Sequence, residues 1–170
     1  MAQQRRLDRV LESGYLDGLD ARSVEALREM RQECGEVETE VSYVRRLAHA
    51  RIEILEAETE RRANGGSLGD LIEALPRILA DSGERTAPAR TRLPGPLAPS
   101  MSIEWNRGLE RLISDATLAN LPSISDAELA STIEQLRDLD REVSATRKSV
   151  HAVIDAVDRA LAARLAVGSS

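Results

Sequence analysis

Phenylalanine is absent from this 170-residue chain, and only Trp105, Tyr15 and Tyr43 bring large aromatic rings. A core without them must be filled by Ala, Val, Leu and Ile. With Glu and Arg also abundant, that is the make-up of long helices or coiled coil rather than of a sheet. The single cysteine, Cys34, excludes an internal disulfide and a cysteine-based metal site. It falls on an apolar helical seam, where a buried thiol is expected rather than a nucleophile. No apolar run approaches bilayer-spanning length, and the opening Met1-Ala2-Gln3-Gln4-Arg5-Arg6 lacks the apolar stretch of a signal peptide. A cytoplasmic protein without membrane association is therefore expected. The net charge of -6 speaks against direct DNA binding, which rests on a basic surface. Basic residues nevertheless gather in two places, Arg45, Arg46 and Arg51, then Arg147 and Lys148, small islands able to hold a compact anion.

One domain of ordinary size is expected, all-α, in four stretches. Residues 1–22 read as a short amphipathic helix and turn, with Leu7, Val10, Leu11, Tyr15, Leu16 and Leu19 interrupted by Gly14 and Gly18. Residues 23–64 hold the first long helix, about 23–63. Its apolar positions Leu27, Met30, Cys34, Val37, Val41, Val44, Ala48 and Leu55 alternate three and four apart with a skip at Arg51, which is a heptad seam. Gly35 marks a bend or a close approach, and Asn64-Gly65-Gly66 ends the helix. Residues 65–124 form a connector. In it, Ser67 and Asp70 cap a helix that Pro76 is expected to kink or divide. Residues 83–100 read as a proline-rich linker, and Ile103–Leu118 as a short helix with Trp105, Leu109, Leu112 and Ile113 on one face. Residues 125–167 begin with a Ser125/Glu128 capping box. They hold the second long helix, about 125–165, with the seam Leu129, Ile133, Leu136, Leu139, Val143, Val150, Val153, Val157 and Leu161. The expected architecture is an antiparallel two-helix coiled coil, a helical hairpin, with short accessory helices at the N-terminus and in the connector.

The only histidines, His49 and His151, occupy equivalent places in one pattern written twice at a constant offset of 102 residues. The first copy is Glu38, Ser42, Arg45, His49 and Glu53; the second is Asp140, Ser144, Arg147, His151 and Asp155. The shared frame is acid-x3-Ser-x2-Arg-x3-His-x3-acid. Core packing repeats apolar positions and has no reason to preserve Ser, Arg and His together. In the first copy Glu38, Ser42, Arg45 and His49 each follow a seam residue by one, about 100° of rotation, so a polar stripe runs beside the buried seam. If the helices pair antiparallel through their seams, the two stripes border one groove. A carboxylate can accept from guanine N1–H and N2–H, and a guanidinium can donate to guanine O6/N7 or to phosphate. Two such stripes suit a two-fold ligand such as a cyclic dinucleotide of guanine.

Two other readings stay open on the residues alone. The repeat can be a coiled-coil heptad with solvated rim pairs, or His49, Glu53, His151 and Asp155 can hold a metal. Arg45 and Arg147, one turn away, oppose a cation. Catalysis is not expected: Ser42 and His49 are two turns apart, about 10 Å along the helix, too far for a nucleophile and its base.

In these residues the chain resembles the RsiG family, actinobacterial anti-sigma factors that bind cyclic di-GMP and with it sequester the sporulation sigma factor WhiG. That family carries E-x3-S-x2-R-x3-Q-x3-D on each of two antiparallel coiled-coil helices. Val41-Ser42-Tyr43-Val44-Arg45-Arg46-Leu47 reads much like its stretch, and Leu75-Pro76-Arg77-Ile78-Leu79-Ala80-Asp81 extends the likeness. His49 and His151 stand where the family has Gln, and each copy exchanges one Asp and Glu. The resemblance implies a non-enzymatic regulator of transcription. Its ligand would be cyclic di-GMP, held by Glu38, Ser42, Arg45, His49, Glu53, Asp140, Ser144, Arg147, His151 and Asp155. Its partner would be a WhiG-type sigma factor, with the chain otherwise monomeric. Leu7, Leu11 and Leu16 are candidates for added partner contacts.

Overall fold

The computed structural model describes residues 6–84 and 120–167, and among them every regular element is helical. Helix α1 spans Arg6–Val10 and a 3-10 turn Leu19–Ala21; α2 spans Val24–Ala63 and α3 Leu68–Glu84. A second 3-10 turn, Leu121–Ser123, leads into α4, Asp126–Val167. The linker from residue 85 onward and the short helix expected at Ile103–Leu118, with Trp105, lie outside the described residues.

The helix ends follow from local chemistry. Ser23 caps α2, its Oγ accepting from the amide of Ala26 at 3.1 Å. At the other end Gly65 takes φ 66°. The amide of Gly66 then reaches Arg61 O (2.9 Å) and that of Gly65 reaches Arg62 O (3.2 Å), a Schellman closure that needs glycine at the left-handed position. Ser125 and Glu128 close a reciprocal capping box before α4: Glu128 Oε2 accepts from the Ser125 amide (3.0 Å) and Ser125 Oγ from the Glu128 amide (3.3 Å). Ser67 and Asp70 do the same for α3.

Two expectations are corrected. Pro76 does not divide α3, which runs on to Glu84 and so takes in the first two residues assigned to the linker. Proline removes one amide and leaves the carbonyl of Ile72 without its helical donor. Ile72, Glu73, Pro76 and Arg77 are all exposed, so water can replace that bond. The N-terminal segment is the short helix and turn expected: α1 is one short turn of chain, and Leu11–Gly18 closes in successive turns. The seam of α2 does not skip at Arg51 either, since Arg51 is itself buried.

Two compact units are distinguished: residues up to Ser42 with those from Val143 on, and Tyr43–Glu142. In the first, α2 and α4 pack antiparallel. Leu27 and Met30 cluster with Val157, and Arg31 Nε donates to Asp158 Oδ1 at 2.7 Å. Tyr15, Leu16 and Leu19 pack partly buried against this cluster, and Leu11 is exposed. Gly35 does mark a close approach: a Cβ there would stand 3.3 Å from the Arg31 guanidinium. Cys34 is buried beneath the Tyr15 hydroxyl, 3.6 Å from its Sγ. Burial pushes both the Tyr15 hydroxyl and the Cys34 thiol above their usual ranges, which keeps the thiol protonated and unreactive.

In the second unit the α2 seam continues through Val44, Ala48, Arg51, Ile52, Leu55 and Glu58 against Leu129, Ile133, Leu136 and Leu139 of α4. Fully buried Glu58 is satisfied by Arg61 (2.7 and 2.8 Å) and Arg62 (2.6 Å). Arg62 in turn donates to Leu121 O (2.9 Å), Ile124 O (2.8 Å) and Asp126 Oδ1 (2.7 Å). It thereby clamps the start of α4 to the end of α2. The guanidinium donors of Arg61 outweigh burial and hold Glu58 down at about 2. Because the folded value lies below the unfolded one, this contribution is complete above the ordinary carboxylate range and fades as pH falls from about 4.5 towards about 2. Glu58→Gln should lower stability at neutral pH on the order of 2 kcal/mol. It should also flatten the decline between about pH 5 and 3, both read from urea midpoints.

Candidate ligand-binding site

The half-buried stripe beside the seam gathers Glu38, Ser42, Arg147 and His151 in the first unit. Ser42 Oγ donates to Glu38 Oε1 at 2.7 Å. Arg147 Nε, coming from α4, donates to Ser42 Oγ at 2.9 Å and to Glu38 Oε1 at 3.1 Å. His151 Nε2, one turn further along α4, stands 3.3 Å from the same oxygen. All three groups converge on Oε1, and none of these contacts uses Oε2. Burial pushes the Glu38 carboxyl up, but the Ser42 hydroxyl and the Arg147 guanidinium more than offset it, leaving the group below its usual range. Glu38 is thus an ionised, acceptor-only group at neutral pH. Arg147 is 34% exposed and His151 44%, so solvent reaches the cluster.

The second unit builds the counterpart from Arg45, His49 and Asp140, with the helices exchanged. Here the acid stands on α4 and the basic groups on α2. His49 Nε2 is 2.9 Å from Asp140 Oδ1, and Arg45 Nε is 3.6 Å from that same oxygen. Asp140 has one methylene fewer than Glu38, and it meets its imidazole at the shorter distance and its guanidinium at the longer. In both units, therefore, the acid of one sequence copy is held by the Arg and His of the other copy. The sequence shows the frame but not this exchange, which depends on the register between helices.

The remaining expected residues occupy neighbouring turns. Ser144 is half-buried one turn after Asp140, at the place equivalent to Ser42; Glu53 is half-buried one turn after His49. Asp155 is exposed and, with Asp158, Arg159 and Ala162, lines an open hollow of about 560 Å³. Among the described residues no group of three or more His, Cys, Asp and Glu side chains is placed to hold a metal ion. Each histidine instead faces a carboxylate that also has an arginine beside it. Arg51 and Glu58 are polar residues of the seam that the sequence reading passed over. Spacing could have found them, since both continue the three-and-four alternation through Ala48 and Leu55.

Ser42→Ala and Arg147→Ala should each raise the titration midpoint of Glu38, because burial then acts against fewer donors. Carbon-detected NMR of the glutamate carboxyls checks this, and circular dichroism should show helicity retained.

With this geometry in hand, comparison with known proteins gives one positive result. No curated protein matches the chain. The model of the RsiG family, described as RsiG-like, matches residues 13–79, the stretch that contains all of α2 and the first copy of the repeated frame. Over that stretch the chain is similar to the RsiG-like family.

Proposed function

We propose that this chain is a cyclic di-GMP-dependent anti-sigma factor that captures a WhiG-type sigma factor when nucleotide is bound. The observation that carries the reading is the doubled frame, realised as two constellations of the same chemistry, each made of one carboxylate with an arginine and a histidine of the other copy. The family match over residues 13–79 supports the anti-sigma role and the sigma-factor partner. An antiparallel coiled-coil hairpin is the architecture this function uses.

Each constellation contains what one guanine nucleotide unit requires. The carboxylate accepts from guanine N1–H and N2–H. The guanidinium turns to phosphate or to O6/N7, and hydroxyl and imidazole complete the hydrogen bonds. Two such constellations match in number the two guanines and two phosphates of a cyclic dinucleotide. In the free protein the acids and bases neutralise one another, which limits the cost of keeping them half-buried until ligand arrives. Glu53 and Asp155, one turn beyond the histidines, extend the acidic set. Cyclic di-GMP held on this half-buried stripe can itself form part of the surface the sigma factor meets, so nucleotide and partner bind with positive coupling.

A purely structural role is the second reading, favoured by the first cluster, where Glu38, Ser42, Arg147 and His151 bond one another. It separates cleanly by experiment. Calorimetry should show cyclic di-GMP binding, weakened on the order of 1.5–3 kcal/mol by Arg45→Ala or Arg147→Ala. Equal affinity for cyclic di-AMP would contradict the guanine reading, because adenine has no N1–H for a carboxylate. In transcription assays the double variant Arg45→Ala, Arg147→Ala should fail to inhibit the sigma factor at saturating nucleotide. Full inhibition by the wild type without nucleotide would contradict the switch.

A further inference from the structure

We propose that His49 and His151 are proton-operated latches: protonated, each imidazole grips the carboxylate of the opposite helix and withholds it from the ligand. The inference rests on the nucleotide reading above and adds its regulation. His151 Nε2 is hydrogen-bonded to Glu38 Oε1 at 3.3 Å, while His49 Nε2 lies 2.9 Å from Asp140 Oδ1, both atoms shielded from solvent and within ion-pair reach but outside hydrogen-bond geometry. An ionised carboxylate only accepts, so each contact is favourable only with a proton on Nε2. Imidazolium makes it a charge-assisted bond, roughly twice as strong as the neutral one. A guanine edge bound in a fork needs both oxygens of the carboxylate, and the imidazole holds one of them.

The charged surroundings define the competition. His151 has Arg147 one turn before it and Asp155 one turn after it on α4, and faces Glu38 and Ser42 of α2. His49 has Arg45 before it and Glu53 after it on α2, and faces Asp140 of α4. From α1, Arg6 is bonded to Glu36 and Glu40 instead. If ligand binding breaks the imidazole–carboxylate pairs, binding must release protons and weaken as pH falls through the range, pH 5 to 8, where histidine changes charge. The opposite sign is equally well defined: imidazoles that turn to the ligand's phosphates would make binding tighten on acidification.

The test is calorimetry of the full chain with cyclic di-GMP at about pH 8 and about pH 5.5, for the wild type and for the double variant His49→Gln, His151→Gln. Glutamine keeps an N–H donor but cannot titrate. Wild-type affinity should fall at the lower pH by on the order of tenfold per latch, with net proton release on binding, and the double variant should show little pH dependence. A flat wild-type profile, a rise in affinity on acidification, or the same fall in the variant overturns the proposal. Absence of binding by both proteins at both pH values would sink the nucleotide reading instead. The latch is then decided in the free protein by a double-mutant cycle on urea stability at about pH 5.5, with Glu38→Gln, His151→Gln and the combination. The two changes should be coupled; additive effects overturn it.

Discussion

A carboxylate on the half-buried face of a helix needs compensating partners: Glu38 has Ser42 on its own helix and Arg147 and His151 on the opposite one, and Asp140 has Arg45 and His49 on the opposite one. This requirement links sequence, packing and chemistry. In the first unit the apolar seam brings α2 and α4 together antiparallel, and the stripe one residue away then brings Arg147 and His151 onto Glu38. In the second, the same seam logic brings Arg45 and His49 onto Asp140. The seam supplies most of the energy, at roughly 1.5–3 kcal/mol for each fully buried aliphatic side chain. The polar pairs add less but are selective about register, because sliding one helix past the other by a turn would separate each acid from its partners.

Much of this was legible in the sequence because it depends on local rules. Heptad spacing marked the buried positions from Leu27 to Leu55 and from Leu129 to Val157, and the capping pairs Ser67/Asp70 and Ser125/Glu128 marked the starts of α3 and α4. Asn64-Gly65-Gly66 marked the end of α2 through one left-handed glycine. The repeated frame named the side chains that later meet. What was not legible depends on tertiary context. Arg51 and Glu58 look polar in sequence but occupy seam positions, and Glu58 is tolerated there only because Arg61 and Arg62 fold back onto it. Pro76 normally interrupts a helix, yet on an exposed face the lost bond is inexpensive. Leu16 packs against the Leu27–Met30–Val157 cluster, a contact that the heptad seam does not reveal.

The histidines give this chain a character of its own. Glutamine offers a carboxylate one N–H of fixed charge; imidazole offers a bond whose strength depends on its proton. The arrangement therefore combines a fixed cation, arginine, with a variable one on each acid. Half-exposure keeps both within reach of solvent and ligand, while burial of the seam behind them keeps the helix faces in place.

The central claim is that acid and base from different copies of the frame are energetically coupled across the helix pair. A double-mutant cycle measures this directly: Glu38→Gln, Arg147→Gln and the combination, with stability taken from urea unfolding at neutral pH. For partly exposed groups bonded at 3.1 Å the expected coupling is on the order of 1 kcal/mol, and the Asp140 and His49 pair should show coupling of the same sign below neutral pH. Additive effects in both cycles, with no coupling beyond experimental error, would contradict the account.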